Sequence, residues 1–124
     1  FMETNAYGLI IKETDPDYVN FEMDSYWIAD AGVDPLYVMK KLENRLKLYH
    51  INDRGNRQKG TSMTPIIRQD SMELGYGNMN LKPLVDQALS VNVSSIILES
   101  HRNFVDKSPV KSLQLSSDYL NQLI

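Results

Sequence analysis

A chain of 124 residues, 42% of them hydrophobic, has material for one core and too little for two ordinary domains, so residues 1–124 are read as a single unit. Its formal charge of -3 and pI near 5.3 provide no basic field for holding a polyanion, which argues against nucleic acid as a partner. The absence of cysteine removes disulfides, thiolate nucleophiles and Cys-based zinc sites and agrees with a cytoplasmic protein; no apolar run approaches the ~20 residues of a membrane span. FMETNAYG at the start lacks the basic and apolar regions of a signal peptide, and opening on Phe1 rather than Met suggests a piece of something longer.

In chain order, residues 5–13, NAYGLIIKE, suit a helix that Asp15-Pro16 ends, because proline drives the residue before it out of the helical region. VNFEMD, residues 19–24, alternates as a strand does, with Glu22 and Asp24 on one face and Phe21 and Met23 on the other. Asp34-Pro35 then supplies a cap and a first-turn proline ahead of LYVMKKLENR, so a helix starts there. Leu46, Leu48 and His50 share the face of a second strand, and residues 52–80, rich in Gly, Asn, Ser, Thr and Pro, read as a long loop.

Leu81, Leu84, Val85, Ala88 and Leu89 fall on one helical stripe, with Asn80 as cap. VSSIILE, residues 93–99, is an apolar, β-branched strand, and Ser108-Pro109 opens a last helix carrying Val110, Leu113, Leu120 and Leu123. A leading helix followed by three strand-helix units is the signature of an α/β fold with a parallel sheet. Ligands and catalytic groups in such sheets gather at the carboxyl ends of the strands. The polar residues closing the three strands are Asp24, His50 and Glu99. Two carboxylates and an imidazole suit a divalent cation such as Mn, Mg, Co or Zn, and three ligands leave room for substrate or water. The plainer reading of each residue alone is a polar cap on a strand end; three such ends coinciding weigh against it.

FEMDSYWIADAGVDP, LYHINDRG, MELGYG and IILES, in this order, resemble the C-terminal half of the sugar phosphate isomerase/epimerase family, whose fold is the xylose isomerase-like (β/α)8 TIM barrel. The resemblance implies a partial barrel of about three parallel strand-helix units plus a leading helix, since a closed barrel takes about 250 residues. It also implies that Asp24, His50 and Glu99 are the second, third and fourth ligands of a metal held by Glu, Asp, His and Glu. The first Glu has no match in this chain, and Phe1 would fall beside it. Many relatives continue the last motif as Glu, any residue, Asp, whereas Glu99 is followed by Ser100 and His101.

The implied chemistry is proton transfer beside a carbonyl through an enediolate, with Glu99 as one acid/base and the unmatched Glu across the substrate, so the chain by itself is expected to be inactive. Further roles follow for individual residues. Trp27 walls the sugar site or covers the barrel mouth. Asp53 corresponds to a recurrent acid that touches substrate, holds His50 or holds the neighbouring loop. His101 contacts substrate or metal, or is an exposed loop histidine. Arg57, with Arg54, Lys59 and Arg68, offers a sugar phosphate positive charge or forms a solvated loop. Glu22 orients a ligand or fills an interior layer. Glu73, Gly75 and Gly77 shape the loop's return, the glycines through positive φ.

The expected partners are a small sugar or sugar phosphate and, because three strands leave two open edges, the missing barrel half or a second copy of the chain. An inosose dehydratase-like lyase on the same fold is a second reading and a non-catalytic α/β binding module a third. An abasic-site endonuclease of the related barrels would need a basic face and more ligands than the chain supplies.

Overall fold

The computed structural model describes residues 5–57 and 69–124. Helix α1 (Ala6–Glu13) is capped by Asn5, whose side chain accepts from the Gly8 amide. Strand β1 (Phe21–Asp24) leads directly into a short helix α2 (Ser25–Asp30), then α3 (Pro35–Leu42) and a 3-10 turn over Glu43–Arg45. The cap and proline read at 34 and 35 are confirmed: Asp34 Oδ1 accepts from the Leu36 amide. Helix α2 was not foreseen, because its six residues carry no apolar stripe; it forms because Asp24 serves as its N-cap, accepting from the Trp27 amide at 3.1 Å.

Strand β2 (Leu46–Ile51) lies between β1 and β5 (Ser95–Leu98) in a parallel sheet of order β1-β2-β5. The stretch read as loop contains a short antiparallel ladder, β3 (Asp53–Arg54) with β4 (Ser71–Met72). Helix α4 (Leu81–Ser90) follows, burying Leu81, Leu84, Val85 and Ala88 as the stripe requires, although Asn80 makes no side-chain cap bond. Helix α5 (Pro109–Leu123) closes the chain behind the Ser108 cap.

The sheet has one closed and one open face. Met23, Tyr49 and Ile51 turn into a core with Val38, Met39, Leu42, Leu74, Leu81, Leu84, Val85 and Ala88, where burial of each large apolar side chain contributes roughly 1.5–3 kcal/mol. The register pairs Glu22 with Leu48, Asp24 with His50 and His50 with Ile97, and partners in register share a face. Leu48 and His50 therefore belong to the less buried side, where Ile97 is 37% exposed. That side corresponds to the interior face of a barrel, so the fold is a partial (β/α)8 arrangement with three of its parallel strands.

Helix α5 departs from the expected packing. Val110 and Leu113 are exposed, at 75% and 56%, while Ser112 and Ser116 are buried. The serine hydroxyls satisfy the polar return of the preceding loop: Ser116 Oγ accepts from the Leu74 amide, and Ser112 Oγ donates to Glu73 and accepts from the Val105 amide. Glu73 also accepts from Val105, and its pKa is lowered even though burial opposes this, since hydrogen bonds from Ser112 and backbone amides favour the anion.

Candidate metal centre

Asp24 ends β1, His50 is the penultimate residue of β2, and Glu99 immediately follows β5. Because Asp24 and His50 are register partners and Glu99 lies two residues past His50's partner Ile97, the three side chains project to one side of the sheet. One ligand atom from each lies within 4.8 Å of the others. His50 Nδ1 is 3.1 Å from Glu99 Oε2 and 3.9 Å from Asp24 Oδ2. Two carboxylates and an imidazole at this separation fit a divalent cation of intermediate or hard character.

The electrostatics agree with a site assembled for positive charge. Burial, with a hydrogen bond to Glu99 as the next cause, pushes the Asp24 carboxyl up to about 6. Glu99 is held below the usual carboxylate range, first by that shared hydrogen bond and then, against burial, by bonds to His101 and His50. Burial and the close approach of Glu99 thus make Asp24 the harder of the two acids to ionise.

Three residues that the motifs do not single out, Asn52, Ser25 and Tyr49, surround the cluster. Asn52, fully buried, donates through Nδ2 to both oxygens of Asp24 at 3.1 and 3.3 Å. Ser25 Oγ lies 3.2 Å from Asn52 Oδ1 and accepts from the Tyr49 hydroxyl. Burial pushes the Tyr49 phenol well up, so it stays a donor. Their only signal in the sequence is position, since all three are next to or one residue removed from a strand-end ligand.

The remaining expected residues divide. His101 joins the cluster: its Nε2 is 2.7 Å from Glu99 Oε1, so Glu99 bridges two histidines. Trp27, with Glu22 and Asp24, lines a groove of about 480 Å³ whose other walls include Tyr7, Phe21 and Ile28. Glu22 Oε1 lies 3.3 Å from His50 Nε2, which favours orientation of a ligand over simple filling of a layer.

Asp53 is a correction to the substrate-contact expectation. It is 1% exposed, and its two oxygens accept from the amides of Arg54, Gly75, Gly77 and Met79. It therefore holds the loop. Arg57 is likewise committed, its Nε and Nη2 on Asp70 at 2.9 and 2.7 Å, and Arg54 pairs with Asp30. Lys59, Arg68 and Phe1, named in the sequence reading, lie outside the described residues. Of the two glycines, Gly75 has positive φ, whereas Gly77 is required because a Cβ there would collide with the Asp53 carboxylate.

Among the described residues no helix is long and apolar enough to cross a membrane. No family model matches the chain. In sequence it is similar to inosose dehydratases of Mesomycoplasma hyopneumoniae strains 7448 and J, each 26% identical over 124 residues, with 93% of this chain and 41% of the relative covered. In structure it is similar to two sugar phosphate isomerase/epimerase structures from Parabacteroides distasonis ATCC 8503. One has a TM-score of 0.66 at 28% identity, covering 91% of this chain and 34% of the other. The second has a TM-score of 0.70 at 27% identity, covering 94% and 36%. The resemblance read from the motifs is thus found in both sequence and fold, and the chain spans about two fifths of the curated relatives it matches.

Proposed function

We propose that this chain is the metal-binding, C-terminal part of a sugar or sugar phosphate isomerase/epimerase of the xylose isomerase-like class. The observation that carries the reading is the convergence of Asp24, His50 and Glu99 from three successive parallel strands. A bound divalent cation would supply Lewis-acid polarisation of a carbonyl and its neighbouring hydroxyl. Asp24 and His50 would hold that ion together with Glu99. Glu99, kept anionic by its hydrogen bonds, is suited to take a proton from the carbon beside the carbonyl as an enediolate forms. His101 orients it through Oε1, and Trp27 offers an apolar wall against a sugar ring. The small sugar or sugar phosphate and a cytoplasmic setting belong to the same proposal.

A lyase reading has its own support in the similarity to inosose dehydratases; loss of a hydroxyl from the same enediolate would use the same residues. The test is calorimetric titration of Mn²⁺ into the chain, beside His50→Ala and Glu99→Gln. One-site binding that both changes weaken supports the metal centre. Binding that is identical in all three proteins would reject it in favour of a non-catalytic module.

A further inference from the structure

Asp24, His50 and Glu99 stand at the ends of three separate strands, so their spacing depends on how the segments leaving those strands are held. All three segments meet at Asp70, a residue that is 4% exposed. Asp24 leads into α2, where the Tyr26 hydroxyl accepts from the Asp70 amide at 2.7 Å. His50 leads into β3 and residues 55–57. There the Gly55 amide donates to the Asp70 carbonyl at 2.8 Å, and Arg57 donates to the carboxylate from its amide at 2.6 Å and from Nε at 2.9 Å. Glu99 leads into residues 100–103, where Asn103 Nδ2 donates to Asp70 Oδ1 and to the Ser71 carbonyl, each at 3.3 Å. Ser71 Oγ donates to the Arg102 carbonyl at 3.2 Å, a second link to the same segment.

We infer that Asp70 is a positioning residue: it ties α2, residues 55–57 and residues 102–103 into one body at the carboxyl rim of the sheet, and so sets the separation of Asp24, His50 and Glu99. The purpose of that separation rests on the metal-centre reading; the clamp itself does not. Enclosing a carboxylate is costly and pairing does no more than offset the cost, so a loop needing stability alone would be served by an apolar contact. Asn103 has a φ of +66°, a conformation that persists where its surroundings over-determine it, and the bonds to Asp70 and Ser71 supply that constraint. Asp53 is the contrasting case. It too is a buried acid accepting from backbone amides, but its bonds join residue 54 to residues 75–79, the two ends of one loop.

Two glycines on that loop make the contrast testable, because a Cβ on Gly55 would collide with the Asp70 carboxylate and a Cβ on Gly77 with that of Asp53. The experiment compares wild type, Asp70→Asn, Gly55→Ala and Gly77→Ala. Calorimetry with Mn²⁺ alone, at a temperature where each chain is folded, should show affinity falling roughly tenfold or more in Asp70→Asn and Gly55→Ala and by no more than a few-fold in Gly77→Ala. In the metal-free chains, hydrogen exchange followed by NMR reads the ligand-bearing ends directly, through the Trp27 amide on Asp24 and the Glu99 amide on the Ile51 carbonyl. Both should exchange faster in the first two variants, relative to the central-strand amide of Tyr49, and keep their wild-type ratio in Gly77→Ala. Unchanged ratios in Asp70→Asn overturn the inference, as does a loss of Mn²⁺ affinity in Gly77→Ala equal to that in Gly55→Ala, which would make the effect one of general loop stability. A wild type that fails to bind Mn²⁺ removes the metal centre, and the exchange ratios then decide the clamp on their own.

Discussion

Replacing Asp24 by Asn should stabilise the metal-free chain at alkaline pH while destroying its affinity for a cation. Asp24 carries an ordinary pKa of 3.8 that burial and Glu99 push up to about 6. Between those values the native state binds a proton that the unfolded state has released, so stability falls as pH rises through this window and the full cost is present above pH 6. At roughly 1.4 kcal/mol for each tenfold change in proton affinity, the gap corresponds to about 3 kcal/mol. Glu99, held low by the same hydrogen bond, returns part of that, leaving a net cost of about 1–3 kcal/mol. Asn keeps an oxygen for the Trp27 amide, so the cap on α2 survives. Urea melts at about pH 8 should therefore favour Asp24→Asn by that amount, and the difference should shrink to well under 1 kcal/mol near pH 4. Added Mn²⁺ should reverse the order, because only wild type gains binding free energy. A variant destabilised equally at both pH values would refute the reasoning, showing that the carboxylate is worth more as a hydrogen-bond acceptor than it costs as a buried charge.

Asp53→Ala should destabilise the chain by about 3 kcal/mol or more, since four backbone amides lose their acceptor; a melt within 1 kcal/mol of wild type, on the order of a surface substitution, would contradict the anchor role. Gly77→Ala should cost about 1–3 kcal/mol by forcing that carboxylate away, and Gly32→Ala, where nothing lies within 4 Å but φ is +77°, separates backbone strain from collision. His101→Ala should leave folding intact and weaken Mn²⁺ binding less than His50→Ala does, because it touches Glu99 through the oxygen turned away from His50. Sedimentation velocity across a concentration series should reveal self-association through the open sheet face that carries Ile97; a sharp monomer at all concentrations would count against it.

The strand ends were legible because the physics of a parallel sheet is one-dimensional. Once β1, β2 and β5 are recognised as parallel neighbours, the polar residue at each carboxyl end is forced onto one rim, and alternation fixes which of them share a face. Asp24 shows the limit of that logic. It was read as a ligand, and the same side chain is the N-cap that turns the chain into α2, a helix too short to display periodicity. Helix α5 shows another limit. Sequence patterning ranks residues by hydrophobicity, yet Ser112 and Ser116 are buried there because their hydroxyls complete hydrogen bonds for Glu73, Leu74 and Val105, partners that no local pattern announces.

The same distinction explains which site residues could be named in advance. A candidate ligand reveals itself by chemistry, so Asp24, His50 and Glu99 stand out among apolar strand residues. A residue that holds a ligand reveals itself only by where the fold puts it. Asn52 sits in a polar stretch indistinguishable from loop, and becomes significant because the β2 register carries it to the Asp24 carboxylate. Asp53, one residue on, points to the other side of the chain and anchors the loop over Gly75, Gly77 and Met79. The alternation that brings Asn52 to the Asp24 carboxylate therefore turns its more acidic neighbour away from that cluster. Chemical type alone would have ranked the two the other way round.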